Sequence, residues 1–497
     1  MHIGDHAIGG AQSPALIVAG GRTVSYGELY ARSQRVAALL YDAGLRRGDG
    51  VALVLPNRPE FLEITWGCQL SGLYYSAINT HFTSDEVAYV IEDSEAKAVF
   101  VDTGADIRIS VGGDGRDWSS YEEVLATAGD PPPISDGSEM LYSSGTTGRP
   151  KAVRRPLPED GRGSWAQKVL EYTLTQRYGM STSSVYLSPA PLYHAAGVNY
   201  TMAVQRVGAA SIVMPRFDAD EVLRLIETYR VTHAQFVPTM FVRMLKLPEA
   251  VRERYDVSSL QCVIHAAAPC PVDVKHRMMK WFGPIIHEYY GGTEGFAGTT
   301  IGPEDWLAHP GSVGKPMTAV HVIGDDGAEC AIGESGELYF EGGPSFEYFK
   351  DPAKTASVSN EHGWRTLGDM GYVDEDGYLY LTDRSTFTIV SGGVNIYPQE
   401  AENLLVMHPK LVDAAVFGVP NEEFGEEVKA VVQPADGVAA GPELEAELIA
   451  YCRAHLAAYK CPRTVEFDAD LPRDPNGKLY KRRIRERYWQ GRSSRIV

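Results

Sequence analysis

The sequence predicts an α/β chain in two unequal parts. A large N-terminal region of layered sheets and helices with a β-rich section spans residues 1–383, and a small α+β unit spans residues 384–497. Three observations carry this. Apolar runs of strand length alternate with amphipathic segments over the first three hundred residues, the rhythm of sheets covered by helices. From about residue 312 the texture changes to short strands broken by turns such as GDDG and DEDG. After LTDR (381–384) the alternation begins again, on a stretch long enough for a small independent domain.

Taken in order, VALVLP (51–56) reads as a buried strand and PEFLEITWGCQLSGL (59–73) as a helix opened by proline. AKAVFVD (96–102) is the next strand, while residues 104–137, rich in Gly, Asp, Ser and Pro, read as irregular surface. DEVLRLIETYR (220–230) is an amphipathic helix, HAQFVP (233–238) and LQCVIHAAA (260–268) are strands, and IIHEYYGGTEG (285–295) is a strand entering a glycine turn. In the last unit, strand IVSGG and helix PQEAENLLVMH are followed by strands DAAVFGV and EVKAVVQ, helix ELEAELIAYCRAHL and strand RTVEFD.

Composition narrows the function classes. Lys plus Arg is 46 and Asp plus Glu is 65, giving a net charge of −19, which argues against a broad nucleic-acid surface. No apolar run reaches the roughly 20 residues of a membrane span. The start, MHIGDHAIGGAQSP, lacks the basic and apolar pattern of a signal peptide. Six scattered cysteines without a CxxC suit reduced thiols, so a cytoplasmic enzyme is expected.

The segment Ser143-Ser144-Gly145-Thr146-Thr147-Gly148-Arg149-Pro150-Lys151 is the most informative. Its glycines let backbone N–H groups approach an anion, its hydroxyls add donors, and Lys151 adds a charge, a set suited to polyphosphate. Arg-Pro stands between the second glycine and the lysine, so this is not a Walker A loop. On composition alone, a polar hairpin remains as good a reading.

YSSGTTGRPK resembles the phosphate loop of the adenylate-forming superfamily, which includes acyl- and aryl-CoA synthetases, luciferases and peptide-synthetase adenylation domains. Further motifs of that family follow in order: PLYHAAG (191–197), YYGGTEG (289–295), GELYFEG (336–342), GWRTLGDMGYVDEDGYLYLTDR (363–384), VSGGVNIYPQEAE (390–402) and LPRDPNGKLYKRR (471–483). The resemblance implies a small C-terminal domain that is mobile, and a role for each motif. The 143–151 loop would hold the β- and γ-phosphates. Thr293 would meet the α-phosphate and Glu294 would help hold Mg²⁺. Tyr290 would pack on adenine beside Gly291, with Ala266, Ala267 and Ala268 leaving room opposite. Asp369 and Arg384 would take the ribose. Lys478 would reach the carboxylate and α-phosphate during adenylation, although without the family it reads as part of a solvated basic face between 478 and 495. His194 would gate and position between acyl group and nucleotide. His194 itself, with Phe236, Val237, Met240, Phe241, Ala266 and Ala268, is a candidate for the acyl pocket. Gly392 and Gly393 would make room for pantetheine, and Thr386, two residues after Arg384, would be the hinge.

Tyr193-His194-Ala195-Ala196 lacks the acid that amino-acid adenylation domains use for the substrate ammonium. The resemblance therefore implies an ATP- and Mg²⁺-dependent synthetase. It would adenylate a hydrophobic carboxylic acid and transfer the acyl group to CoA. The nearest branch in texture takes bulky acids such as bile or steroid acids. Loading of a carrier protein, release of the acyl-adenylate, and a non-catalytic nucleotide-binding module stay open as alternatives, as does a homodimer. Two departures bear on this. Thr386 and Phe387 stand where Lys or Asp and another acid are usual. Ala152-Val153-Arg154-Arg155-Pro156 follows the loop where Gly-Val is common.

Overall fold

A computed structural model of the chain describes residues 2–104, 106–111, 117–143, 150–158, 164–384, 387–391, 394–473 and 479–490, without the side chains of Ser143, Trp165 and Arg384. Five sheets are built from these residues. The largest has nine strands. Its centre is parallel and runs Ile286–Gly291, Cys262–His265, His233–Phe236, Val185–Ser188, Ala210–Val213, Pro14–Val18, with short antiparallel strands at both edges. Its strands read as continuous apolar runs because both faces are covered. One face packs on helices Ala219–Tyr229, Pro238–Leu245 and Val272–Phe282 around Leu223, Phe241 and Met278. On the other, helix Ala195–Val207 and the tyrosines Tyr178, Tyr186 and Tyr200 form a separate cluster.

The six-stranded sheet contains the expected strands Gly50–Val54 and Ala96–Asp102. Helix Pro59–Leu70 lies between it and helix Tyr26–Asp42, with Phe61 and Trp66 fully buried. Trp66 Nε1 donates to Gln205 Oε1 at 2.6 Å, so the one polar atom of that indole is satisfied inside the core. The described residues of 104–137 hold more regular structure than expected. Ile107–Val111 is an antiparallel strand beside Ala96–Asp102, and Tyr121–Ala126 is a short helix. The alternation Ile-Arg-Ile-Ser-Val buries Ile107 and Ile109, and this local pattern prevails over the Gly and Pro around it.

The β-rich section is a four-stranded antiparallel sheet, Val320–Ile323, Gly336–Phe340, Arg365–Val373 and Leu379–Arg384. The last unit has its own core. Long strands Leu411–Asn421 and Gly425–Pro434 pair antiparallel, and Ile389, Leu405, Val416 and Leu448 pack together. Helix Lys481–Trp489 keeps Arg482, Arg483 and Arg487 exposed, as a solvated face requires, but turns two of its basic residues inward. Lys481 is buried on Glu402 at 2.8 Å, and the Arg485 guanidinium pairs with buried Glu426 at 3.2 Å. No helix among the described residues is long and apolar enough to cross a membrane.

Candidate active site

A cavity of about 1650 Å³ opens where the parallel strands of the large sheet end. Strand ends leave backbone groups and loop side chains unpaired, so ligands of open α/β sheets collect there. Loops after four of the strands supply His194, Pro238, Ala267 and Thr293, while Arg473, Leu479, Tyr480 and Lys481 of the small unit form another wall.

Each of these loops is shaped by its sequence. After Val185–Ser188 the chain turns at Pro191 into helix Ala195–Val207. A Cβ on Gly197 would lie 2.3 Å from the Pro191 carbonyl oxygen, so the turn closes only on glycine. His194 stands at the N-cap, extended at φ −87°, its ring 4.6 Å from that of Tyr193. It lines the cavity between Tyr193 and Ala195.

Strand Ile286–Gly291 pairs antiparallel with Gly298–Ile301, and Thr293 and Glu294 occupy the turn between them. Gly295 takes φ +75°, a conformation that side chains resist. The Tyr348 hydroxyl donates to Glu294 Oε1 at 2.7 Å. Arg155 is the residue that the sequence left without a role. Its Nη1 donates to Glu139 Oε1 at 2.7 Å, and its Nη2 donates to the Thr293 carbonyl. A guanidinium one residue past strand Lys151–Arg154 thus holds the Thr293–Glu294 turn. Contacts so distant in sequence leave no local pattern.

Tyr290 and Asp369 are brought together. The Tyr290 hydroxyl donates to Asp369 Oδ2 at 2.7 Å, and Asp369 pairs in register with Arg384 on the neighbouring strand. Ala267 has φ +76°, an uncommon value for a residue with a Cβ, and its backbone lines the cavity with Ala268. Lys151 also lines the cavity, and its Nζ lies 2.7 Å from Asp351 Oδ2. That hydrogen bond holds the Asp351 carboxyl below its usual range.

The acyl-pocket expectation is largely corrected. Phe236, Met240 and Phe241 are buried in the core under the sheet, with Val237, and none of these four is among the residues lining the cavity. Ala266 is buried as well and also absent from the lining, whereas Ala268 is present. Strand His233–Phe236 and the helix that follows turn these side chains toward helix Val272–Phe282, away from the strand ends. Glu288, which does line the cavity, had no role in the sequence. Its carboxylate meets Lys275 Nζ at 2.6 Å and His265 Nε2 at 3.3 Å.

Ser144, Gly145, Thr146, Thr147, Gly148, Thr386, Gly392, Gly393 and Lys478 lie outside the described residues, as do the side chains of Ser143 and Arg384. The neighbours of Lys478 are described. Arg473 and Leu479 form an antiparallel bridge, and both line the cavity. No cluster of three or more acids, histidines or cysteines able to hold a metal exists among the described residues. A lone carboxylate such as Glu294 still suits Mg²⁺, which takes one or two carboxylates and fills its other positions with phosphate oxygens and water.

Residues 6–346 match the model of the AMP-binding enzyme family, and residues 400–478 match that of the AMP-binding enzyme C-terminal domain. The chain is 34% identical to a feruloyl-CoA synthase of an Amycolatopsis species, over 94% of this chain and 95% of that protein. It is 32% identical to the 2-succinylbenzoate–CoA ligase of Bacillus licheniformis, over 94% and 96%. Among solved structures, o-succinylbenzoate CoA synthetase of Bacillus subtilis in complex with its acyl-adenylate intermediate superposes with a TM-score of 0.80 at 27% identity, covering 97% of each chain.

Proposed function

The chain belongs to the AMP-binding enzyme family, and on that premise we propose that it is an ATP-dependent, AMP-forming carboxylate–CoA ligase acting on a hydrophobic acid. The observation that supports this most is the convergence of these residues on one cavity. It gathers the Thr293–Glu294 turn, Tyr290 with Asp369, His194, and the residues on both sides of Lys478.

In the first step a carboxylate oxygen of the acid attacks the α-phosphorus of ATP and pyrophosphate leaves. Negative charge grows on the phosphoryl oxygens, and donors already in place lower that barrier. Lys478 and the Thr293 hydroxyl are assigned to the α-phosphate, and Lys151 with the loop from Ser143 to Gly148 to the leaving pyrophosphate. Tyr290, Gly291 and Ala267 take the adenine, and Asp369 with Arg384 the ribose. Mg²⁺, held through Glu294, would neutralise phosphate charge when bound. His194 orients the acid. In the second step the CoA thiol attacks the acyl carbon and AMP leaves, with Gly392 and Gly393 assigned to the pantetheine path and Thr386 to the pivot between the two steps. Free cysteines among the described residues suit a reducing cytoplasm, where we place the reaction.

The test is a panel of acids assayed for AMP and pyrophosphate with and without CoA. Thioester and AMP should appear together only with CoA. Lys478→Ala should slow pyrophosphate release about 10²–10³-fold, the usual cost of one lost donor to developing charge. It should spare conversion of supplied acyl-adenylate to thioester. Equal losses in both steps would remove the role given to Lys478.

A further inference from the structure

A strand, a cap and a short helix bring a second lysine to the end of the cavity where Lys151 stands. Strand Glu347–Tyr348 pairs antiparallel with Lys151–Arg154, Val153 opposite Tyr348, and the Phe349 N–H donates to the Ala152 carbonyl at 3.0 Å. The ladder thus carries the chain back along Lys151, and two residues later Asp351 meets Lys151 Nζ at 2.7 Å. Asp351 also opens helix Pro352–Ser357, its Oδ1 accepting the Lys354 N–H at 2.9 Å. The Thr355 hydroxyl ties this helix to the strand. It accepts the Tyr348 N–H at 2.9 Å and donates to the Asp351 carbonyl at 3.0 Å. Lys354, Ser357 and Val358 all line the cavity, and their i, i+3, i+4 spacing puts them on one helix face. Tyr348, where the segment begins, donates to Glu294 at 2.7 Å, so the same segment reaches the acid assigned to Mg²⁺.

Most other cations lining the cavity are already committed. Arg155 is on Glu139 and the Thr293 carbonyl, Arg473 on Asp413, and Lys481 on Glu402. Lys151 is on Asp351, and that pair by itself brings no net charge to an anion. Arg177 pairs with no described acid, but it belongs to the turn Thr173–Arg177 on another wall. The Lys354 ammonium likewise touches no acid among the described residues. Its charge still reaches Asp351. The Lys151 hydrogen bond first, then the Lys354 N–H, and last the two lysine charges keep that carboxyl ionised below its usual range. Two lysines around one ionised carboxylate leave one positive charge over. Placed in a concave wall, such a charge is felt more strongly than on open surface.

We propose that Lys354 is a second cation for the leaving pyrophosphate, contacting the terminal phosphates of ATP beside Lys151. The proposal rests on the ligase function above and adds a residue to it. When the carboxylate oxygen bonds to the α-phosphorus, the bond from that phosphorus to the bridging oxygen breaks, and its electron pair leaves with pyrophosphate. No proton need move. The Lys354 ammonium donates to the oxygens on which that charge collects, as a point charge on a flexible stem can. Asp351 gives both lysines their places: its side chain holds the Lys151 ammonium, and its cap fixes the turn from which Lys354 extends.

The experiment measures binding of MgATP and of AMP to the full chain by calorimetry, for the unaltered protein, Lys354→Gln and Lys354→Arg. AMP lacks the terminal phosphates, so its affinity also reports that the nucleotide site is folded. Lys354→Gln should weaken ATP by about tenfold, the usual size of one charge-assisted hydrogen bond, and leave AMP unchanged. Lys354→Arg, which keeps the charge, should recover most of the loss. The cap uses the backbone N–H, so neither substitution removes it. If Lys354→Gln leaves ATP affinity where it was, or weakens ATP and AMP equally, the contact is refuted. If ATP alone weakens but no acid of the panel yields AMP in the unaltered protein, the phosphate contact stands and the ligase function falls. If the unaltered protein binds neither nucleotide, both fall.

Discussion

Arg155 offers the sharpest separation between holding the fold and holding the site. Its side chain is 19% exposed and that of Glu139 is 10% exposed, so the pair is largely out of water. Arg155→Ala leaves Glu139 with weaker partners, the Asn199 amide at 3.5 Å and the Ser138 hydroxyl at 3.3 Å. Breaking a buried pair from one side costs about 3–5 kcal/mol, and the partial exposure here puts the loss near ~3 kcal/mol. The same substitution frees the Thr293 carbonyl, so the Thr293–Glu294 turn loses a charged tether, and adenylation should slow by about 10²-fold. The double variant Arg155→Ala with Glu139→Gln separates the two effects. Removing the orphaned charge should restore most of the stability, to within about 1 kcal/mol, because a neutral amide is far less costly to bury. It cannot restore the tether. Urea unfolding measures the first quantity and single-turnover pyrophosphate release the second. If activity recovers together with stability in the double variant, Arg155 serves only the fold and its role at the turn is wrong.

Further outcomes are expected. Gly197→Ala pushes a methyl group against the Pro191 carbonyl, 2.3 Å from the new Cβ. It should cost about 1–3 kcal/mol in denaturant and raise KM for the acid, since His194 rides on that turn; an unchanged melting curve would refute the close contact. Lys246 Nζ donates to the carbonyls of Val406 at 2.9 Å and Leu411 at 2.6 Å, joining the large part of the chain to the small unit. Lys246→Ala should slow acyl-adenylate formation about tenfold and spare the thioester step, read by supplying acyl-adenylate; equal effects would dismiss it as a latch. Burial first, and the Arg177 charge second, push His287 down to about 4. The unfolded chain takes up this proton below about 6.5, so stability falls as pH drops from about 6.5 toward 4 and is fully present above that window. His287→Asn should flatten the melting temperature against pH over that window, and an undiminished slope would exclude His287 as a contributor.

Among the described residues, Lys151, His194, Ala267, Tyr290, Thr293, Glu294 and Asp369 come together at one cavity, and each lies in a short motif that the sequence displays. The acyl pocket was not legible. Whether Phe236 and Phe241 face the cavity or the core depends on how strand His233–Phe236 sits between its neighbours, and residue type does not report a side chain's face. The packing on helix Val272–Phe282 decided it. Arg155 and Tyr289 were missed for a related reason. Their partners are Glu139 and Thr293, and Gln235, none of them near in sequence. In the fold, Ile107–Val111 was missed because turn-forming residues on both sides outweighed a five-residue alternation.

The small unit is braced internally where it meets the cavity. Arg473 is bound to Asp413 and Lys481 to Glu402. These two pairs stand on either side of the segment that contains Lys478. Burial alone would favour the neutral form of Lys481, but Glu402 and then Asp383 raise its pKa, so it stays protonated. Asp383 belongs to the strand that leads out of the β-rich sheet, and its Oδ2 also accepts the backbone N–H of Gln399 at 3.2 Å, at the start of helix Gln399–Val406. A carboxylate at a helix start interacts favourably with the N–H groups there. One acid thus holds the first turn of that helix and faces the cation beside the segment that contains Lys478. Breaking buried pairs is costly, so the unit resists internal deformation. We propose that any reorientation between the two chemical steps takes place outside the unit's core, at the pivot assigned above to Thr386.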